Sequence, residues 1–267
     1  LAFCLRVILF TNCVLPLSDT LNVADVPAVE YGIFVFSNPI PNQMAKAVPN
    51  KNLLKVGNKS LIEIAMSEAK KSKKLSKIIF STDSSVMRKI AKKNNIESPF
   101  LRPKYLAGDK SKTYDVIRHS VEWLEKNQNW QADIVVVLQP TTPFRKAEHI
   151  DRCINLLIRS NADASMAVTT PDYPPMWMLK MDKNKKTTFI FKNGKKFTRR
   201  QDMPKIFKPA GLVYALNKDF LFKIKGILPQ GDTRSFVVNE KDSLNIDEYY
   251  HYILAKQFST ENIKKKK

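Results

Sequence analysis

The spacing of apolar positions changes along the chain and divides it into regions. Tyr31 to Ser37 (YGIFVFS) is a short apolar run closed by Asn38-Pro39, which reads as a buried strand. Leu61, Ile62, Ala65, Met66 and Ala69 recur at helical spacing, so a helix is predicted over 61–70 with Ser60 as its N-cap. Lys77 to Ser81 (KIIFS) reads as a second buried strand, and Val86 to Asn94 as a helix with Val86, Ile90 and Ala91 inward. Val116, Ile117, Val121 and Leu124 form the inner stripe of a helix over 113–126. Asp133 to Leu138 (DIVVVL) is a continuous β-branched run, the mark of a central parallel strand covered on both faces. A helix over 150–160 and a strand over 164–168 follow. Strands and helices alternating at this spacing predict an α/β fold with a doubly wound, mostly parallel sheet.

The pattern shifts after Pro171. Trp177 to Asp182, Thr187 to Phe191 and Lys195 to Arg199 alternate as strands, and Asn193-Gly194 is a tight-turn signal between the last two. This predicts a small antiparallel excursion over 171–210, a candidate lid or dimerisation arm. Leu212 to Ala215 returns as a strand, and Tyr249 to Lys256 closes the domain as a helix. The expected organisation is an extension over 1–30, one domain over 31–258 and a basic tail over 259–267. Leu1 to Leu17 is apolar around Arg6 and is short for a membrane span, so the extension is expected to be poorly ordered or non-native.

Composition narrows the chemistry. A length of 267 residues with 43% hydrophobic content suits a single buried core. The net charge of +20, from 45 basic against 25 acidic residues, favours a polyanionic partner. Lysine is nevertheless spread along the whole chain, Lys264 to Lys267 read as a solvated end, and the basic stretches lack aromatics that would stack bases. A dedicated nucleic-acid role is therefore not expected, and neither is a membrane one. Cys4, Cys13 and Cys153 form no CxxC pair, and His119, His149 and His251 are dispersed, which gives no support to zinc or a disulfide framework. A reducing, cytoplasmic setting follows. His119 and His149 lie on helix patterns and read as packing or surface residues; His251 is given no role.

Ligands of open α/β sheets bind beyond the carboxyl ends of the strands. Three segments fall there: the loop over 38–52, Ser81-Thr82-Asp83, and Gln139-Pro140-Thr141-Thr142-Pro143. Together with Lys46 to Asn52, Phe100-Leu101-Arg102-Pro103, Leu106-Ala107-Gly108-Asp109 and Asn245-Ile246-Asp247, they resemble in order and spacing the acylneuraminate cytidylyltransferases, the CMP-sialic acid synthetases. The resemblance runs from about Tyr31 to about Gln257. It implies a nucleotide-diphospho-sugar transferase-like fold. It also implies transfer of CMP from CTP to the anomeric hydroxyl of an acidic nine-carbon sugar, with release of pyrophosphate, in a homodimer.

The family's phosphate loop has the form Ala-Arg-Gly-Gly-Ser-Lys-Gly-x-Pro-x-Lys-Asn. Here Lys46, Pro49, Lys51 and Asn52 match it. Gln43-Met44-Ala45 stands for Gly-Gly-Ser, Ala47 for the later glycine, and no Arg lies between Val7 and Val86. Glycines allow positive φ and close backbone approach to phosphate, so their loss predicts reduced activity. By the resemblance, Lys46, Lys51 and Asp247 are catalytic. Asn52 would contact the ribose, Arg102 the cytosine side of CTP, and Ser81 and Asp83 would line that pocket. Gln139, Arg200, Gln201, Lys208 and Tyr214 would face the sugar. The family's Asp-x-Asp reads Asn245-Ile246-Asp247, and alternate residues of an extended segment point the same way, so Asn245 and Asp247 can share one Mg²⁺. The family's Arg-x-Asn-Gly reads Lys208-Pro209-Ala210-Gly211, which leaves the sugar open among sialic, legionaminic and pseudaminic acids. Two other readings stand beside this one: a Kdo-like octulosonate as the sugar, and a catalytically impaired domain used for nucleotide binding or assembly.

Overall fold

The computed structural model describes residues 31–35, 51–108, 111–224, 226 and 229–264. The expected extension, most of the phosphate loop including Lys46, and the last three residues of the tail lie outside them. In chain order the elements are β1 (Tyr31–Val35), β2 (Lys55–Val56), β3 (Lys59–Ser60), α1 (Leu61–Lys71), α2 (Ser85–Lys93) and α3 (Thr113–Gln128). There follow β4 (Ile134–Val137), α4 (Ala147–Ser160), β5 (Ala164–Thr169), β6 (Leu179–Met181) and β7 (Thr187–Phe189). The last are β8 (Lys208–Asn217), α5 (Lys218–Lys223), β9 (Thr233–Val237) and α6 (Tyr249–Lys264).

The main sheet runs β1-β4-β8-β5-β9. β1 pairs with β4 and β5 with β9 in parallel, while β8 is antiparallel to both neighbours, so β8 alone runs against the other four strands. Helices cover both faces, as the run at 134–138 requires. Ile134, Val136 and Leu138 pack with α1, α2 and α4 in one cluster. Val135 and Val137 pack with α3 and α5 in another. Side chains alternate across a strand, so both sets must be apolar, and all five are at most 5% exposed.

The helices stop where their sequence allows. Ser60 caps α1 by donating its backbone N–H and hydroxyl to Glu63, at 2.8 and 2.6 Å, which holds the Glu63 carboxyl below its ordinary range. Asn95, Asn129 and Asn161 follow α2, α3 and α4 at φ of 53°, 51° and 48°. In a chain with only 7 glycines, asparagine takes the left-handed position that ends a helix.

Two expectations need correction. The segment expected as a strand over 77–81 is buried from Ile79 onward but is not a full strand: it and the following Thr82 meet the 97–101 segment at two isolated bridges, Ile79 to Glu97 and Thr82 to Leu101. Pro99 has no N–H to give, and the Ser98 hydroxyl donates to the Phe80 carbonyl at 2.8 Å, so the ladder is broken between those points. Asn193-Gly194 does not turn a hairpin. Asn193 has φ −89°, whereas the tight hairpin turn needs positive φ at both positions, and 194–196 form a short 3-10 turn in place of a strand. Gly194 is required for packing instead, because a Cβ there would lie 2.3 Å from the Met176 carbonyl. The hairpin that exists joins β6 to β7 around Asp182, whose Oδ1 accepts the N–H groups of Asn184 and Lys186 at 2.9 Å each.

Candidate active site

The loop after β4 is held from inside. Arg145 is fully buried; its Nε donates to the Leu212 carbonyl at 2.6 Å and its Nη2 to Thr142 Oγ1 at 2.5 Å and to the Gln139 carbonyl. One guanidinium thus ties the Gln139-Pro140-Thr141-Thr142 turn to β8. Burial pushes Arg145 down to about 9, partly opposed by the fields of Glu68 and Tyr214, so it stays charged at neutral pH. The Ile246 N–H donates to the Thr141 carbonyl at 2.8 Å, which anchors the segment before α6 on the same turn.

Around this anchor lies a cavity of about 320 Å³ whose wall includes Gln139, Lys208, Tyr214, Asn245, Asp247 and His251. Ile246 is fully buried against Val56, Leu61 and Ala255, so Asn245 and Asp247, one residue to either side, face the cavity together. Lys51, from the short 3-10 turn 51–53, reaches Asp247 Oδ1 at 3.3 Å across 196 residues of sequence. Asn245 Nδ2 donates to Asp247 Oδ2 at 2.8 Å. That leaves Asn245 Oδ1 buried without a hydrogen-bond partner among the described residues. Gly211 sits at φ +68°, and a Cβ there would stand 3.4 Å from Gln139 Oε1, so a larger residue would be strained and would crowd that side chain. Burial pushes the Tyr214 phenol up to about 12.

The donor set fits a hard divalent cation. A carboxylate and an unsatisfied amide oxygen share one wall, and no group of three or more His, Cys, Asp or Glu arranged to hold a metal ion is present among the described residues. An ion held by so few protein oxygens needs the rest of its shell from water and phosphate, the usual arrangement for Mg²⁺ on a nucleotide.

Ser81, Asp83 and Arg102 form a second group. Arg102 is 5% exposed, with Nε 3.3 Å from Ser81 Oγ and Nη2 2.5 Å from the Ser81 carbonyl. Burial lowers its pKa while the Asp83 field raises it. Asn52 is buried beside Lys51. Two expected sugar contacts lie elsewhere: Arg200 borders an apolar groove with Pro171, Met203 and Phe207, where its Nη2 donates to the Pro171 carbonyl at 3.4 Å, and Gln201 is exposed nearby. A larger cavity of about 1220 Å³ opens between α4 and β9. Within it Asp242 lies 3.2 Å from Lys146 and 3.6 Å from His149.

Three residues near the site carried no usable sequence signal. Arg145 follows the Pro-Thr-Thr-Pro run without a motif of its own. Asp172 lines the cavity and pairs with Lys208. His251 Nδ1 accepts the N–H groups of Asp247 and Glu248 at 3.4 and 3.2 Å, which places its ring proton on Nε2.

A family model described as Cytidylyltransferase matches residues 45–252, a span that contains every described residue of this site. The chain belongs to the cytidylyltransferase family. It is 26% identical over 185 residues to a pseudaminic acid cytidylyltransferase of Campylobacter jejuni, covering 67% of this chain and 79% of that one. It is 24% identical over 212 residues to an N-acylneuraminate cytidylyltransferase of Escherichia coli, covering 79% of this chain but 48% of that longer protein. A solved CMP-2-keto-3-deoxy-manno-octonic acid synthetase complexed with CTP superposes with a TM-score of 0.61 at 12% identity, over 87% of this chain and 99% of that one. At that identity the likeness carries the fold alone. The family is that of CTP-dependent nucleotidyltransferases, and the resemblance to its acylneuraminate members holds. Among the described residues, no helix is long and apolar enough to cross a membrane.

Proposed function

We propose that this cytidylyltransferase transfers CMP from CTP to the anomeric hydroxyl of an acidic nonulosonic sugar and releases pyrophosphate. The observation that carries the reading is the convergence of Lys51, Asp247 and Asn245 on the wall that also bears Gln139 and Lys208. A cation and hard oxygen ligands meet sugar-sized polar space there, which phosphoryl transfer to an acidic sugar requires.

In the reaction the anomeric oxygen forms a bond to the α-phosphorus as the bond to the pyrophosphate oxygen breaks, and the hydroxyl proton is lost. Lys51, with Lys46, would neutralise the phosphates, and Asn52, Ser81, Asp83 and Arg102 would hold the cytidine. Gln139 and Tyr214 would orient the sugar, and Lys208 would receive its carboxylate. Mg²⁺ on Asn245 and Asp247 would supply phosphate charge neutralisation. Asn245 brings a neutral oxygen in place of a carboxylate, which favours weaker metal binding. The sugars named for the relatives, pseudaminic and N-acylneuraminic acids, are the first to try.

A homodimer is the proposed assembly. The arm around β6 and β7 exposes Leu179, Met181, Ile190 and Phe191, apolar side chains suited to burial against a second copy. Sparse cysteines support action in the cytoplasm.

The test is a melting scan with CTP, then ATP, GTP and UTP, in Mg²⁺, followed by a pyrophosphate-release assay with the sugar panel. CTP at 100 times its Kd should stabilise the fold by about 2.7 kcal/mol, and the other nucleotides by less. No preference for CTP and no pyrophosphate with any acidic sugar would overturn the proposal.

A further inference from the structure

Lys208, the proposed partner of the sugar's carboxylate, already has a carboxylate. Its Nζ pairs with Asp172 Oδ2, and both residues line the 320 Å³ cavity with Asn245 and Asp247. Asp172 follows Pro171 in the loop after β5, and that loop is fastened by other contacts. Thr170 Oγ1 donates to Glu240 Oε1 at 2.9 Å, and Arg200 Nη2 donates to the Pro171 carbonyl at 3.4 Å. The backbone beside Asp172 is therefore set independently of the ion pair. Its side chain is not: it is 80% exposed, against 43% for Lys208. The Asp172 carboxylate can rotate into water with little loss of burial, and the loop need not move. Lys208 lowers the Asp172 pKa by its hydrogen bond, a slight burial opposes this, and the field of His251 adds to the lowering.

We propose that Asp172 is an internal competitor for the sugar's carboxylate, paired with Lys208 until an acidic sugar displaces it. This rests on the reading that Lys208 receives that carboxylate. Exchange of one carboxylate for another leaves the Lys208 charge matched throughout, so an acid can repay the pair it breaks. A carboxamide in the same position cannot. The residue therefore weakens binding of sugars that engage Lys208, by the cost of breaking the pair, and so tunes affinity for the acid. An exposed pair of this kind is worth little, and its removal corresponds to a change of about 1.5- to five-fold in affinity.

The experiment is calorimetric titration of N-acetylneuraminic acid, pseudaminic acid and Kdo in the presence of cytidine diphosphate, which cannot release pyrophosphate. Wild type, Asp172→Asn, Lys208→Met and the double variant are compared, using the sugar that binds wild type best. The expected result is tighter binding to Asp172→Asn by about 1.5- to five-fold. Lys208→Met should bind at least as weakly as wild type, and adding Asp172→Asn to it should change nothing. A merely structural role for Asp172 would weaken binding instead. Equal or weaker binding by Asp172→Asn, with Lys208→Met clearly impaired, overturns the competitor and leaves the role of Lys208 standing. Unchanged binding by Lys208→Met, or no binding of any of the three sugars, removes the reading of Lys208 and the proposal with it.

Discussion

Replacing Arg145 with Met tests how the sugar-facing turn is built. The guanidinium is fully buried and serves the Leu212 carbonyl, the Gln139 carbonyl and Thr142 Oγ1. Methionine keeps part of the stem's volume but takes that donor from the Leu212 carbonyl and Thr142 Oγ1, while the Gln139 carbonyl keeps the Thr142 hydroxyl at 3.1 Å. Each buried acceptor so orphaned costs about 1–3 kcal/mol, or about 2–6 kcal/mol for the two. The total is a large fraction of an ordinary domain's stability of about 5–15 kcal/mol. For a domain of this size it corresponds to a fall in melting temperature of about 4–24 °C. Urea titration followed by circular dichroism is the assay. The midpoint should fall with the slope unchanged, because the surface exposed on unfolding is the same. Arg145→Lys keeps a charge but not the fork, so it should lie between wild type and Met. A loss below about 1 kcal/mol in Arg145→Met would refute the reasoning, since the three bonds could not then be holding β8 to the turn.

Two further outcomes follow from the same geometry. Asp247→Ala should abolish Mg²⁺-dependent turnover while costing less than about 1 kcal/mol of stability, because its pair with Lys51 is half exposed on the Asp247 side; a wild-type rate in a pyrophosphate-release assay would reject the metal assignment. His149 gives a pH dependence. Burial pushes its imidazole below the ordinary 6.5, with the Asp242 field opposing, so the unfolded chain binds that proton more readily than the folded one. The associated stability is complete above about pH 6.5 and is lost as the pH falls toward the lower folded value. His149→Gln should therefore lose less melting temperature than wild type between about pH 7 and 5.5, and an equal loss in both proteins would exclude His149 as the source.

Much of the fold is legible in the sequence because it depends on period. The stripe Val116, Ile117, Val121, Leu124 and the run at 134–138 each allow one burial pattern, and both are buried as expected. The paired placement of Asn245 and Asp247 is legible for the same reason, since an extended segment with Ile246 inward must turn both outward. What is not legible depends on contacts between distant segments. Nothing near Arg145 in sequence announces Leu212, and nothing near Lys208 announces Asp172 across 36 residues. Asn193-Gly194 misleads because a local turn preference is overridden by packing: Phe189 and the Met176 carbonyl leave no room for a Cβ at residue 194. The strand expected over 77–81 fails at a single partner residue, Pro99, which its own sequence does not contain.

The central claim is the transfer itself, and one isotope measurement addresses it. The protein is supplied with CTP, Mg²⁺ and a nonulosonic acid carrying ¹⁸O in its anomeric hydroxyl, and the products are weighed by mass spectrometry. The account predicts a CMP-sugar that retains the label, with unlabelled pyrophosphate, because the sugar oxygen attacks the α-phosphorus. Unlabelled CMP-sugar, or no nucleotide sugar from any acidic sugar tested, would contradict it.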